Sequence, residues 1–218
     1  MLHAAAACSA EIPHPPEHRG RRALLAGLAG VAIDLLWPDT AIAHEDRDLS
    51  VAKALTAGRP ARGKAVSALP LILASGLHAD LITLTRGHAT AVQLMFTGCG
   101  TTCLTQGALF EEVQQRLVAR SMEARLLSIS IDVLGDDAKT LTAWLRRFNA
   151  QPATWTAGVP TVAATERLLA EFRFGNGPAE VVEHLNRAFV FNRKGVLMWT
   201  TGVNPSSAEV TESIARYG

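Results

Sequence analysis

The chain has 218 residues, of which 48% are hydrophobic and 19% charged, and its formal net charge is +1. This length and apolar content support one globular domain with a buried core. The balanced charge, without a basic stripe interleaved with aromatic residues, gives no reason to expect a nucleic-acid partner.

The first 43 residues resemble a targeting segment. A basic stretch, His18–Arg22, precedes an apolar stretch, Ala23–Ile33, and Ala41-Ile42-Ala43 fits a small-x-small cleavage pattern. Arg21-Arg22 before the apolar stretch is similar to a twin-arginine signal. Asp34 leaves the apolar run shorter than the ~20 residues of a spanning helix. We therefore predict a signal peptide over residues 1–43 and export to the periplasm. An uncleaved anchor in the inner membrane, with the protein facing the periplasm, is the alternative.

Export changes what the cysteines are expected to do. Cleavage after Ala43 removes Cys8 and leaves Cys99 and Cys103. Two cysteines in an oxidising compartment ordinarily indicate a structural disulfide. A bridge that closes so small a loop removes little chain entropy, so it stabilises a fold weakly. The pair is therefore better explained by reactive or metal-binding chemistry.

Residues 44–68 are polar, mixed in charge and interrupted by glycine and proline, and we predict a flexible lead-in there. The folded domain is expected over residues 69–218. Its first element is predicted to be a β-hairpin of Leu69–Leu73 and Leu81–Leu84, with the turn at Ser75-Gly76.

The cysteine pair lies between a predicted strand and a predicted helix. Ala91–Phe96 is apolar and typical of a buried strand, and Leu104–Arg120 has helical periodicity. Cys99 and Cys103 are spaced i and i+4, which places their Cβ atoms ~5–6 Å apart on one helix face. The partial positive charge of a helix N-terminus favours thiolate over thiol. The spacing therefore predicts redox chemistry, metal binding or both.

The remaining pattern alternates between strands and helices. After the apolar strand Leu126–Ile131, we predict helices over Asp137–Phe148 and Thr165–Phe172, a hairpin of Ala188–Asn192 with Val196–Thr200, and a final helix ending at Arg216, capped at Ser206. The piece between Gln151 and Pro160 is predicted to be irregular, with Pro160 starting a helix. This order joins a βαβ half to a ββα half. It predicts an α/β, thioredoxin-like fold: a central mixed sheet flanked by helices, with an N-terminal hairpin extension.

Several motifs resemble the Sco/SenC family of copper chaperones for cytochrome c oxidase assembly. Leu94–Cys103 contains a CxxxC pair, whereas thioredoxin-type oxidoreductases have two residues between their cysteines. Ser128–Asp132 matches the family's second strand and the aspartate that ends it. Leu141–Phe148 and Trp155–Gly158 match its helix and tryptophan-containing loop. Val182-Glu183-His184 lies where the family carries its essential histidine. The resemblance covers about residues 69–218.

The resemblance implies a copper site made by Cys99, Cys103 and His184. Cu(I) is a soft ion that prefers thiolate sulfur, and the same ligands accept Cu(II). In a thioredoxin-like fold the loop before the hairpin packs against the cysteine pair, so His184 is within reach. Oxidation of the cysteines to a disulfide abolishes metal binding. Asp132 is expected either to cap its loop or to support the site indirectly.

The chain departs from the family pattern beside its candidate ligands. The prolines that usually follow the two cysteines are replaced by Gly100 and Leu104. The acidic residue between the cysteines is replaced by Thr101, and the small hydroxyl residue after the histidine by Leu185. These departures leave the three candidate ligands in place.

The leading hypothesis is a copper metallochaperone whose partners are a copper-receiving protein, such as a cytochrome oxidase subunit, and a thiol reductant. The alternative is a periplasmic thiol:disulfide oxidoreductase with Cys99 and Cys103 as its redox-active pair and Cys99 as nucleophile. A peroxidase ranks last, because Phe96-Thr97-Gly98 lacks the proline expected before a peroxidatic cysteine. An uncleaved N-terminus would add membrane association.

Overall fold

The computed structural model describes residues 58–172 and 186–218, which form an eight-stranded mixed sheet with helices on both faces. The strands are β1 (Arg59–Ala65), β2 (Pro70–Leu73), β3 (His78–Asp80), β4 (Ala89–Met95), β5 (Ala124–Ser130), β6 (Trp155–Pro160), β7 (Phe189–Phe191) and β8 (Val196–Thr200). The helices are α1 (Leu81–Thr85), α2 (Thr102–Ala119), α3 (Ala138–Arg147), α4 (Thr165–Glu171) and α5 (Ser207–Tyr217).

The sheet order is β1-β8-β7-β4-β5-β6-β2-β3. β4, β5 and β6 are parallel to one another, and the outer pairings are antiparallel. Every residue of β4 is buried, as expected for a central strand covered on both faces. The βαβ and ββα halves meet at the β4–β7 pairing, and the predicted thioredoxin-like fold is confirmed.

Alternating side chains of the sheet pack into two separate cores. Ala91 and Met95 of β4 join the core under α2, α3 and α5, whereas Val92 and Leu94 join the core under α1 and α4. The first core contains Cys103, so the candidate site is built into the packed face of α2. None of the described helices is long and apolar enough to span a membrane.

The N-terminal hairpin differs from the prediction in its second strand. β2 pairs with β3, and the segment expected as that strand, Leu81–Leu84, lies in α1. Asp80 explains the difference, because its carboxylate accepts a hydrogen bond from the backbone N–H of Ile82 at 2.9 Å and caps the helix. Within the expected lead-in, Arg59–Ala65 form β1 on the edge of the sheet beside β8.

The segment predicted to be irregular before Pro160 contains a strand instead. Trp155–Pro160 form β6, which is hydrogen-bonded between β5 and β2, and Pro160 ends this strand rather than starting a helix. Trp155 is buried, and its indole N–H donates to the Ser128 hydroxyl at 2.9 Å. Pairing with two neighbours satisfies the backbone, an interaction that the local pattern around Gly158 does not reveal.

The cap predicted at Ser206 is confirmed, whereas α3, predicted to begin at Asp137, begins one residue later and is capped by Asp137. The Asp137 carboxylate accepts from the backbone N–H of Thr140 at 2.8 Å, and the Asp137 N–H donates to the Thr140 hydroxyl, forming a capping box. The Ser206 hydroxyl accepts from the backbone N–H of Glu209 at 3.1 Å and starts α5.

Candidate metal centre

The two cysteines lie at the carboxyl end of β4, but they do not share a helix face as predicted. α2 begins at Thr102, so Cys99 lies in the preceding loop and Cys103 in the first helical turn. The Cys99 sulfur accepts a hydrogen bond from the backbone N–H of Cys103 at 3.4 Å. This contact satisfies a backbone donor that a helix start leaves without an intrahelical partner. This hydrogen bond therefore links the two cysteines at the N-terminus of α2.

The environment of Cys99 favours its thiolate. Burial of this partly exposed side chain acts to raise the pKa of the thiol. The opposing hydrogen bonds from the backbone N–H groups of Cys103 and Thr101, with smaller contributions from their side chains, prevail and lower the pKa. Cys99 is therefore the more nucleophilic thiol of the pair.

The environment of Cys103 opposes ionisation. The side chain is fully buried in the core under α2. Burial raises the pKa of this thiol to about 12, although a hydrogen bond from the backbone of Phe96 favours the thiolate. The neighbouring Cys99 and the negative charge of Asp136 raise the pKa further. Ionisation of Cys103 therefore needs a compensating charge, which a bound cation provides.

The buried carboxylate of Asp136 anchors the loop that carries Cys99. Asp136 is 7% exposed and accepts from the backbone N–H of Thr97 at 2.9 Å and from the Ser130 hydroxyl at 2.6 Å. It also accepts from the Thr97 hydroxyl. Since Thr97 precedes Cys99 by two residues, these bonds fix the loop between β4 and α2 to the loop after β5.

The sequence pattern singled out Asp132 rather than Asp136 as the aspartate near the site. In the structure the Asp132 carboxylate accepts from the Gly135 N–H at 2.9 Å, so it caps its own loop. Asp136 is the carboxylate that acts on Cys103. Parallel pairing of β4 with β5 was a usable signal, because it places the two following loops side by side. The turn that directs Asp136 inward is not visible in the sequence.

The third predicted ligand, His184, lies outside the described residues. Within residues 58–172 and 186–218, no three His, Cys, Asp or Glu side chains are grouped so that they would hold a metal ion. The two thiols nevertheless suit a soft monovalent metal, since hydrogen bonds lower the pKa of the Cys99 thiol and both cysteines adjoin the N-terminus of α2. A complete trigonal site requires one further ligand.

A groove of about 700 Å³ opens beside the cysteine loop, between the starts of α2 and α5. Thr101 and Thr102, which separate the two cysteines in sequence, line it together with Gln106 and Asn186. Its walls combine hydroxyl and amide groups with the apolar side chains of Ala108 and Leu109, and Glu112 adds a carboxylate, so the approach to the cysteine loop on this side is partly apolar.

The sequence model of the SCO1/SenC family matches residues 83–218, a range that includes the cysteine pair, Asp136 and the position of His184. The chain belongs to the SCO1/SenC family. The predicted resemblance is thus confirmed. A comparison with curated protein sequences gave no match.

Solved structures of Sco proteins share this fold. A SCO1/SenC family lipoprotein from Bacillus anthracis is 15% identical, with 72% of this chain and 96% of that chain covered and a TM-score of 0.58. Copper-bound ScoI from Arabidopsis thaliana is 12% identical, with 70% and 97% covered and a TM-score of 0.58. BsSco, described as having a disulfide switch and as a member of a family of cytochrome c oxidase assembly proteins, is 16% identical, with 71% and 93% covered and a TM-score of 0.58.

Proposed function

We propose that this chain is a copper metallochaperone that binds Cu(I) or Cu(II) through Cys99, Cys103 and His184 and delivers it for the assembly of cytochrome c oxidase. The observation that carries the proposal is the thiol pair at the start of α2 in a SCO1/SenC chain. The copper-bound ScoI structure and the assembly role ascribed to the BsSco family support it.

The two thiols would bind the ion one after the other. Cys99, with its lowered pKa, is the sulfur that first meets the metal, and Cys103 completes the pair as the cation offsets the cost of ionising a buried thiol. His184 would supply the third ligand as a neutral imidazole nitrogen. Such a site takes copper as cargo, since three ligands leave room for a ligand of the recipient to enter.

The expected partners are a copper-receiving protein, such as a cytochrome oxidase subunit, and a thiol reductant that keeps the cysteines reduced. We place the protein outside the cytoplasm, in the periplasm or anchored in the inner membrane and facing it. The likeness to a SCO1/SenC lipoprotein supports a location of this kind.

Anaerobic titration tests the proposal. The full chain, with Cys8→Ser to leave one thiol pair, is reduced and titrated with Cu(I) against a colorimetric chelator. We expect tight binding of one ion, and His184→Ala should raise the Kd at least about tenfold, or about 1.4 kcal/mol. His78→Ala, which removes an exposed histidine of β3, is the matched control and should leave the Kd unchanged. Weak binding to the parent chain, or no effect of His184→Ala, would contradict the proposed site.

A thiol:disulfide oxidoreductase is the second candidate, and the opposite pKa shifts of the two cysteines favour it. The Cys99 thiolate would attack a partner disulfide and release one partner thiolate. Cys103 would then lose its proton, attack the Cys99 sulfur and release the second partner thiolate, so that the pair ends as a disulfide after giving up two electrons.

Reduction of insulin disulfides separates this candidate from the chaperone. An oxidoreductase that needs no third ligand retains its rate in His184→Ala and loses it in Cys99→Ser. If the parent chain reduces insulin no faster than Cys99→Ser does, the enzyme hypothesis is wrong.

A further inference from the structure

Asp136 carries a charge that its hydrogen bonds do not require. One carboxylate oxygen, Oδ2, accepts from the Thr97 backbone N–H and the Ser130 hydroxyl, and Oδ1 accepts from the Thr97 hydroxyl. An asparagine in the same position would keep all three bonds, because its carbonyl oxygen replaces Oδ2 and its amide donates to the rotated Thr97 hydroxyl. Geometry alone therefore does not explain why this buried residue is an acid.

The charge lies beside the candidate copper ligands. Asp136 accepts hydrogen bonds from the backbone N–H and the hydroxyl of Thr97, two residues before Cys99. In the described part of the chain, no Lys or Arg side chain forms an ion pair with Asp136. The negative charge of Asp136 therefore acts on the Cys103 thiol and raises the pKa of that thiol.

We propose that Asp136 is a positioning and affinity-limiting residue of the copper site: it fixes the cysteine loop through Thr97, and its negative charge weakens Cu(I) binding by Cys99 and Cys103. This inference rests on the proposed function. A Cu(I) ion held by two thiolates has a net charge of −1, so a second negative charge in a poorly solvated position destabilises the loaded state. A chaperone benefits, because a lower affinity lets the recipient take the ion.

Removing the charge while keeping the hydrogen bonds tests the inference. In the Cys8→Ser full chain, Asp136→Asn should bind Cu(I) more tightly, roughly tenfold, as expected for the loss of one nearby like charge. It should also give up Cu(I) to the chelator more slowly. Asp137→Asn is the matched control: it removes the same charge from the next residue, which is fully exposed, and asparagine caps α3 as well as aspartate does. Its Kd should equal that of the parent chain.

Two further variants separate charge from structure. Thr97→Val removes one hydrogen bond and keeps the carboxylate, so its affinity should be unchanged or lower. Asp136→Ser is a second neutral variant and should bind Cu(I) more tightly, as Asp136→Asn does. Circular dichroism and thermal unfolding establish that each variant is folded.

The direction in which Asp136→Asn changes the Cu(I) affinity decides whether the inference holds. If the parent chain binds tightly and folded Asp136→Asn binds equally or more weakly, this inference is wrong and the proposed function stands. If neither neutral variant folds, Asp136 is a structural residue and the inference is overturned. If the parent chain itself does not bind Cu(I), the proposed function fails and the inference falls with it.

Discussion

The loop that carries Cys99 and the first turn of α2 that carries Cys103 are four residues apart, yet they are opposite environments. Cys99 is half-buried, and backbone N–H groups stabilise its thiolate. Cys103 is fully buried between the sheet and α2, beside a carboxylate. Two cysteines at i and i+4 therefore need not be equivalent ligands. Here the Cys99 thiol ionises more readily, whereas the Cys103 thiol stays neutral unless a bound cation or a disulfide removes the cost of a buried negative charge.

Alkylation kinetics measure directly how differently the two thiols react. In the Cys8→Ser background, Cys103→Ser leaves Cys99 free and Cys99→Ser leaves Cys103. At pH 7, Cys99 should react with iodoacetamide at least about 1000-fold faster than Cys103, because thiolates react and the pKa of Cys103 is about 12. Mass spectrometry over time measures both rates. Similar rates would show that the two environments are equivalent.

Two glycines probe the packing of the same two regions. In Gly107→Ala, one turn after Cys103, the new Cβ would clash with the Phe148 ring, whereas nothing lies within 4 Å of a Cβ added at Gly100. We expect Gly107→Ala to lower the free energy of unfolding by about 1–3 kcal/mol, the usual cost of overpacking a core. Gly100→Ala should change it by less than about 0.5 kcal/mol. Urea denaturation compares them, and equal losses would contradict the contrast in packing.

The alkaline stability of the reduced protein tests the buried thiol with a smaller effect. The pKa of Cys103 is about 12 in the folded chain against an ordinary value of 9.0, so folding favours its neutral form. That stabilisation is complete below pH 9 and is lost as the pH rises toward 12, because the unfolded thiol ionises first. Between pH 9 and 10 the loss should be less than about 1 kcal/mol.

Cys103→Ala is the reference for this measurement, since it removes the titrating group. The free energy of unfolding of the parent chain, followed in urea at each pH, should fall relative to that of Cys103→Ala as the pH is raised. Parallel curves for the two proteins would mean that the Cys103 thiol ionises as easily in the folded state as in the unfolded one.

The central elements of the fold were predictable because their signals are local. Continuous apolar character identified β4 and β5, and the pattern from Ser206 to Glu209 marked the start of α5 through capping. The misses have non-local causes. Trp155–Pro160 reads as irregular, yet two neighbouring strands hold it in the sheet. Leu81–Leu84 is apolar enough for a strand, but Asp80 starts a helix there.

The sequence predicted that the two cysteines lie together, but it did not predict which groups surround them. The CxxxC spacing indicated a joined thiol pair, but α2 begins after Cys99, so the assumed helical geometry was wrong. Three aspartates lie within the seven residues that follow β5, and the sequence does not tell which of them turns inward. Asp136 does so because the Ser130 and Thr97 hydroxyls donate hydrogen bonds to its carboxylate. The role of His184 stays a prediction.

X-ray absorption at the copper edge identifies the ligands of the ion, because it counts the sulfur and nitrogen atoms bound to it. The full Cys8→Ser chain, loaded with one Cu(I), should show two sulfur ligands and one imidazole nitrogen, and His184→Ala should lose the nitrogen while keeping both sulfurs. A spectrum with fewer than two sulfur ligands, or one that is the same in His184→Ala, would contradict a copper site made by Cys99, Cys103 and His184.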